Sequence, residues 1–468
     1  MAGYLYSDLP GRLDRLGWNR FHTAVLLTLG AGWALDGFEV TVVGPLLAYL
    51  SRVFHLNVVQ GAWVGSIFLL GALGGALIFS TLADRLGRKR LFLTTMLLYG
   101  LSTFATAFAG GYATLLAFRF LTGLGIGGEY GAVNAAIDEF IPARFRGRAD
   151  GAVNASWSVG GVLASLVTLA VLSVLPPQIG WRFAFLFGGV AAVFVAVARR
   201  VLPESPRWLL HHGRTAQAAA VVARVEVAGG APAGTLPPAV ALRQADGSWL
   251  QEVGELWRRF PGRVLLAMAL NIGEAGPYYG LLIVLGTVIL PANHVTGGAI
   301  PLFYLYGALV GILGAFGVAW AADAWGRKPA VTGGFALLTV LALTFNLLHG
   351  SLSGLLVVFG LYSLCGQVTG TGTYIVTSEL FPTEQRALGI GLAVAAGRVA
   401  ALAAPLAFAG LYAVYGTAGV FAGMAALAGV GLAGMTLWSL YGVEGKARSL
   451  EQMTTRPLPA GAAAEVEA

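Results

Sequence analysis

Long apolar runs, separated by short charged breaks, leave this chain few ways to fold. They lie near 21–50, 57–80, 90–109, 111–135, 150–175 and 181–199, and again near 263–290, 299–321, 329–349, 350–377, 386–410 and 415–441. About 20 apolar residues are enough to carry a helix across a bilayer. Charged residues make up only 11% of the 468, whereas about 25% is ordinary for a soluble domain. With 57% apolar residues and a mean hydropathy of +0.75, the chain has too little polar material to cover a soluble surface. A membrane barrel would show alternating segments of roughly ten residues, which are missing here. The 67 glycines instead fit helices packed closely through small residues. A single cysteine, Cys365, excludes a disulfide framework. The polar stretch Met1 to Arg20 and the length of the first apolar run do not match a cleavable signal peptide.

Topology follows from the basic residues. With both termini cytoplasmic, 25 of the 29 Lys and Arg fall on the inner side; Arg52 and Arg182 lie outside, and Arg119 and Arg398 lie within spans. That is the positive-inside bias, so the net charge of +7 reports orientation and not a nucleic-acid surface. The halves also repeat. Asp84-Arg85-Leu86-Gly87-Arg88-Lys89 returns 239 residues later as Asp323-Ala324-Trp325-Gly326-Arg327-Lys328. Glu139-Phe140-Ile141-Pro142 with Arg146 returns 240 residues later as Glu379-Leu380-Phe381-Pro382 with Arg386. Parallel six-helix repeats around a midplane site are one architecture of alternating-access carriers. The expected fold is therefore an all-α membrane protein of twelve transmembrane helices in two pseudo-symmetric bundles. Its expected parts are a bundle at 1–199, a cytoplasmic linker with short amphipathic helices at 200–262, a second bundle at 263–441, and a cytoplasmic tail at 442–468.

In each D-x-x-G-R-K loop the glycine permits a tight turn, the aspartate can cap a helix start, and the basic pair faces headgroups or a helix end. Asp84, Arg88, Asp323 and Arg327 are thus candidate gating residues. So are two expected ion pairs, Glu139 with Arg146 and Glu379 with Arg386. The alternative is a set of solvated anchors.

Over nearly its whole length the chain resembles the major facilitator superfamily of transporters. The resemblance rests on Leu82-Ala83-Asp84-Arg85-Leu86-Gly87-Arg88-Lys89, on Arg119 followed by Gly123, Gly125, Gly127, Gly128 and Glu129, and on Pro203-Glu204-Ser205-Pro206-Arg207-Trp208-Leu209. The last motif is typical of the branch holding sugar porters, organic-ion transporters and carriers of nicotinate and aromatic acids. The tail around Val443–Glu451 is similar to the sugar-porter ending, and Asp36-Gly37-Phe38-Glu39 is similar to the D-G-x-D of aromatic-acid:proton symporters. The resemblance implies secondary transport, often proton-driven, by a monomer without a cofactor. The seventh helix, around Gly273-Glu274-Ala275-Gly276-Pro277-Tyr278-Tyr279, lacks the paired glutamines with which sugar porters hold hydroxyls.

Charges at membrane depth are costly and usually functional. Glu39 lies about 27 Å along the first helix, and Arg119 about 12 Å from the outer end of the fourth, so they share a depth. A carboxylate beside a guanidinium stays ionised; moved away and desolvated, it takes a proton. The pair is therefore a candidate for proton coupling, with a structural ion pair as the alternative. Asp36, one turn away, either tunes that titration or caps a kink beside Gly37. Glu129 is either a second station on a proton route or the partner of a basic group at the cytoplasmic seam. Arg398 needs an anion: a substrate carboxylate, Glu274 or a helix end.

Around these charges, Asn154, Trp157, Tyr278, Tyr279, Tyr304, Tyr362, Gln367 and Tyr374 are candidate lining residues, able to stack on a ring or hydrogen-bond a substrate; ordinary helix packing is the competing explanation. The leading expectation is proton-coupled import of a small organic carboxylate, with a ring-bearing acid favoured. Competing readings are a sugar or polyol porter, an exporter of organic cations, and a non-transporting sensor. No metal-ligand spacing, triad or cofactor loop is visible, so an enzyme is not expected. The expected partners are protons, a small molecule and membrane lipids, with no nucleic acid.

Overall fold

The structure is a computed structural model, and it describes residues 4–229, 240–243, 249–348, 351–381 and 385–441. Twelve long helices run through these residues. In the first half they are α1 (Arg20–Val53), α2 (Val58–Leu86), α3 (Arg88–Thr106), α4 (Tyr112–Gly127, continued as Glu129–Phe140), α5 (Ala143–Val174) and α6 (Pro177–Ala198). In the second half they are α7 (Pro261–Val284), α8 (Ala299–Ala324), α9 (Arg327–Thr344), α10 (Leu352–Leu380), and α11 and α12, which form the run Arg386–Tyr441 broken at Gly416 by a φ of 63°. Most helices overrun the expected spans into the cytoplasm, where charged residues continue a helix at no desolvation cost. Seven stretches among the described residues are long and apolar enough to cross a membrane by themselves. Others, such as Tyr112–Gly127 and Ala299–Gly314, are apolar but shorter.

Local chemistry sets the helix starts. The Asn19 side chain accepts from the N–H groups of Phe21 and His22, while His22 Nδ1 accepts from the Asn19 N–H at 3.2 Å, closing a capping box at α1. Asn57 and Gln60 exchange the same two bonds at 2.8 and 3.0 Å before α2. Gly87 and Gly326 sit at φ 91° and 102°, a backbone region that favours glycine, and they turn α2 into α3 and α8 into α9 as the repeated loop predicts.

The described residues divide into two compact units: one within Met1–Gly247 together with Leu282–Leu309, the other within Ser248–Leu281 and Val310–Ala468. In the first, α1 packs on α5 and α6, α2 on α4, and α3 on α4 and α6. The α4 glycines make this possible. A Cβ at Gly123 or Gly127 would strike the backbone carbonyls of Phe68 or Ala72 on α2, and one at Gly125 would meet the Thr95 and Tyr99 backbone of α3 at 2.6–2.7 Å. In the second unit, α9 packs on the α11–α12 run and on α10 around Val331, Phe335, Val376, Leu380 and Met435.

The segment 282–309 falls in the first unit, where small residues on α1 and α2 admit it. A Cβ on Gly44 would come within 2.5 Å of the Tyr304 ring and 2.7 Å of the Leu282 carbonyl, and one on Gly65 would strike Ile283. Residues Leu285–Ile289 form a π-helical turn there.

Short helices at Pro206–His211, Thr215–Gly229 and Trp249–Arg259 occupy the linker. The amino-terminal helix Leu9–Asp14 packs on the first two through Leu9, Leu13, Leu16, Trp208 and Val222, and Tyr4–Ser7 pairs antiparallel with Val240–Arg243. The sugar-porter-like ending at 443–451 lies outside the described residues.

Candidate functional site

In the first unit, α1 and α4 bring Glu39 and Arg119 together. An Arg119 NH1 donates to Glu39 Oε1, and the two side chains are 0% and 1% exposed. The guanidinium lies 4.5 Å over the Phe68 ring and 5.8 Å from that of Phe185, so aromatic faces take the rest of its charge. The depth match read from sequence is thus a contact. Asp36 is buried on the same helix and lies in electrostatic range of both Glu39 and Glu129. Glu129 opens the second segment of α4, just past Gly128, and pairs with Arg199 at 3.1 Å and 3.3 Å. That contact is one of its two expected roles, the partner of a basic group.

Arg199 went unnoticed in the sequence, where it counts as one more inner-side cation. Its side chain is 1% exposed, lies 4.3 Å over the Phe92 ring, and lodges against α1 where Gly32 has no Cβ to exclude it. A signal was present. Arg199 and Arg200 are adjacent, so on a helix they point about 100° apart. Only one of them can face the headgroups. Tyr99 on α3 is also new; it donates to the Leu35 carbonyl at 3.2 Å and lies in electrostatic range of Glu39, Asp36, Glu129 and Arg119. Nothing about a lone tyrosine in an apolar span marks it beforehand.

In the second unit, α7, α10 and α11 meet around another cluster. Arg398 donates to the Tyr279 hydroxyl at 3.0 Å, with its guanidinium 5.7 Å from that ring, and lies in electrostatic range of Glu274. Tyr278 and Tyr279 stand edge to face at 5.4 Å. Gly370 leaves its space beside Glu274 Oε1 and Gln367 Oε1, at 3.5 and 3.8 Å from where a Cβ would sit. Glu274, Tyr279, Gln367 and Arg398 therefore adjoin one another, from three helices.

Other lining candidates part from this cluster. Tyr304 belongs to the first unit, where its hydroxyl donates to the Leu282 carbonyl at 2.6 Å and accepts from the Gly286 N–H at 3.1 Å. That corrects its reading as a substrate contact, since the backbone occupies the hydroxyl and Gly44 the ring. Tyr362 is buried against Phe345, in line with packing. Tyr374 is 44% exposed. Asn154 and Trp157 lie on α5 of the first unit, half-buried, with the Trp157 backbone against Gly37.

One cytoplasmic pair is corrected. Glu139 takes Arg88 instead of Arg146, and Glu379 meets Arg327 at 3.2 Å. Arg146 reaches Asp14 at 3.0 Å and the Ile141 carbonyl at 2.9 Å. Each D-x-x-G-R-K arginine thus meets the glutamate of its own half, because the helix turn at Gly87 or Gly326 aims it there. The next lysine repeats as well: Lys89 Nζ donates to the Arg200 carbonyl at 2.9 Å, and Lys328 Nζ to the Ser439 carbonyl at 3.2 Å. Glu204 accepts the backbone N–H groups of Arg88 and Lys89, capping α3. The side chains of Asp84 and Asp323 lie outside the described residues.

The comparisons with known proteins agree with this architecture. The family model described as "Sugar (and other) transporter" matches residues 24–456. The niacin transporter NiaP of Acinetobacter baylyi is 31% identical over 401 residues, covering 85% of this chain and 89% of that protein. The inner membrane metabolite transport protein YgcS of Escherichia coli is 30% identical over 393 residues, covering 84% and 85%. Among solved structures, the inward-open xylose transporter XylE of Escherichia coli superimposes with a TM-score of 0.72 at 19% identity, covering 92% of this chain and 98% of that one; this similarity speaks for the fold. The chain belongs to the sugar (and other) transporter family of the major facilitator superfamily, and is a multi-pass transporter of the bacterial cell membrane, not an enzyme.

Proposed function

We propose that the protein is a proton-coupled symporter that imports a small organic carboxylate, with a pyridine or other aromatic ring favoured. The observation that carries the reading is the buried ion pair of Glu39 and Arg119. Desolvating two charges costs several kcal/mol, so the pair is tolerated only while each neutralises the other. If Arg119 is drawn away, Glu39 takes a proton; when it returns, the proton leaves. A carrier alternating between two openings has the motion to do this.

The substrate class is supported by the second-unit cluster. Arg398 offers a planar fork matched to a carboxylate, Tyr278 and Tyr279 offer ring faces, and Gln367 offers an amide. Glu274 lies in electrostatic range of Arg398 and would compete with a ligand carboxylate for it. The niacin transporter among the relatives supports the same class. A proton-coupled sugar or polyol porter is the second reading, supported by the family description and the xylose transporter's fold. Against it stands a seventh helix with Asn271, Glu274 and Tyr278 but no paired glutamines.

In this reading the carrier works as a monomer in lipid, with protons and one small molecule as partners and neither cofactor nor nucleic acid. The test is uptake of radiolabelled nicotinate, benzoate and xylose into proteoliposomes, with and without an inward proton gradient. Nicotinate or benzoate uptake raised by the gradient and collapsed by a protonophore is expected. Saturable xylose uptake with neither acid transported would overturn the carboxylate assignment.

A further inference from the structure

The first unit holds two buried acid–base pairs, and only the outer one has a part in the coupling scheme above. The inner pair, Glu129 with Arg199, is as dry as the outer: its side chains are 5% and 1% exposed. On α4 its glutamate lies ten residues inward of Arg119, about 15 Å at 1.5 Å per residue. Asp36 lies one turn from Glu39 on α1, and the Tyr99 hydroxyl donates to the carbonyl of Leu35 beside it at 3.2 Å. Asp36 is in electrostatic range of both glutamates, and Tyr99 is in range of both pairs. Each arginine also keeps a buried Nε without a hydrogen-bond partner among the described residues, leaving a donor for a second acceptor.

The inner pair adjoins the cytoplasmic face. Arg199 begins the short 3-10 turn Arg199–Val201 that ends α6, Arg200 is exposed, and its carbonyl is held by Lys89 of the cytoplasmic loop. The pair also sits at a helix break, since α4 stops at Gly127 and restarts at Glu129. A purely structural clamp needs none of this. Two apolar side chains of similar volume fill such a site at equal or better stability.

We propose that Glu129 and Arg199 form an inward proton-release station, fed from Glu39 through Asp36 and Tyr99. This rests on the proton-coupled reading and extends it. The balance is simple. The Glu39 carboxyl gives up its proton as Arg119 closes on it, and the Glu129 carboxylate gains one O–H bond. Tyr99, where it takes part, accepts one proton and passes on another, so it stays neutral. Neutral Glu129 loosens from Arg199, which remains a cation; the proton then passes to cytoplasmic water and the pair re-forms. One proton has moved inward and no charge is left behind. The charged or titratable groups that face Glu129 are Arg199 at the end of α6, Asp36 from α1 and Tyr99 from α3.

The test pairs a spectroscopic readout that needs no substrate with transport. Infrared difference spectra of the full chain in nanodiscs, stepped between about pH 5 and pH 8, report protonated carboxyls. Glu129→Gln is expected to delete one component of the band and to move the midpoint of the Glu39 component. In proteoliposomes it is expected to cut gradient-driven nicotinate accumulation about tenfold or more while equal-pH counterflow stays within about twofold. A tenfold loss corresponds to about 1.4 kcal/mol in the coupled step. Because Glu129→Gln strands Arg199 as a buried cation, Glu129→Gln with Arg199→Gln is the second variant, with the same two outcomes expected. A carboxyl band unchanged by either variant, or accumulation that survives, would overturn the station. If Glu39→Gln abolishes accumulation and Glu129→Gln does not, only the station fails. If Glu39→Gln has no effect, the coupling reading fails with it.

Discussion

In the proposed function, Arg398 is the side chain for which substrate and protein compete. Its guanidinium already meets Tyr279 and lies in range of Glu274, so a carboxylate bound there would displace part of that arrangement. Arg398→Ala should weaken binding of nicotinate by roughly 2–5 kcal/mol, the usual loss when one partner of a buried charge pair is truncated. Arg398→Lys should recover less than half of that, since an ammonium lacks the planar fork. Equilibrium binding of radiolabelled nicotinate to purified protein checks both; unchanged affinity would make Arg398 a structural residue. Gly32 carries a separate prediction. A Cβ there would collide with Arg199, which Glu129 and Phe92 hold in place. Gly32→Ala should therefore destabilise the protein by about 1–3 kcal/mol. Gly110→Ala, with nothing within 4 Å, should change stability by less than about 0.5 kcal/mol. Thermal unfolding in detergent distinguishes them. At this scale the sequence was legible for charges that need a partner of known sign. Glu39 and Arg119 could be matched because both lie mid-span. Arg199 could not, because at a span end an arginine is indistinguishable from a headgroup anchor until the packing beside Gly32 is known. Tyr304 misled for a related reason: an aromatic residue in an apolar run carries no mark of which way it faces.

Helices and loops carry their own predictions. The repeated cytoplasmic loop gives each half one Arg–Glu contact, but the contacts differ in burial. Glu139 is 3% exposed beside Arg88, whereas Glu379 is 22% exposed beside Arg327. Removing the arginine strands a buried carboxylate in the first case and a partly solvated one in the second. Arg88→Ala should thus cost about 2–4 kcal/mol and Arg327→Ala about 1 kcal/mol or less. Parallel thermal melts would reveal the difference, and equal losses would contradict it. The amino-terminal helix offers a pH test. Arg12 holds Glu226 through two hydrogen bonds at 2.6 and 3.0 Å and Arg15 adds a third at 3.2 Å, which keeps the Glu226 carboxyl below its ordinary value of 4.5. Because the folded value is depressed, the contact contributes fully above about pH 4.5 and is lost as pH falls through the lowered value. Acid-protease cleavage of the segment around Leu9–Asp14 should rise below that range, and Glu226→Gln should raise it at every pH. Element boundaries were readable at Gly87 and Gly326, where the repeated loop fixes a turn, whereas the caps at Asn19 and Asn57 went unread. The expected pairing of Glu139 with Arg146 failed because sequence proximity said nothing of how Gly87 aims Arg88.

For the whole molecule, the duplication is complete at the cytoplasmic loops and absent in the interior. Arg88, Lys89 and Glu139 have counterparts at the same offset, down to the carbonyls that the lysines hold. Glu39, Asp36, Arg119, Glu129 and Arg199 fall in the first half against Tyr, Ala, Val and Trp in the second. Arg398 in turn answers Val159 at the same offset of 239. Duplication thus explains the shared scaffold, and the proposed proton chemistry and anion recognition rest on buried charges that the two halves do not share. The fold was legible because the bilayer forces twelve spans and the inner-side bias orients them. The grouping of 282–309 with the first unit was not, since it depends on two glycines meeting a tyrosine and an isoleucine across long sequence separation.

The central claim is that the Glu39–Arg119 pair couples proton movement to transport, and Glu39→Gln tests it most directly. In proteoliposomes with an inward proton gradient, the variant should accumulate radiolabelled nicotinate no further than equilibration, while equal-pH counterflow persists within about twofold of wild type, since exchange bypasses return of the deprotonated carrier. Gradient-driven accumulation at the wild-type level would contradict the account.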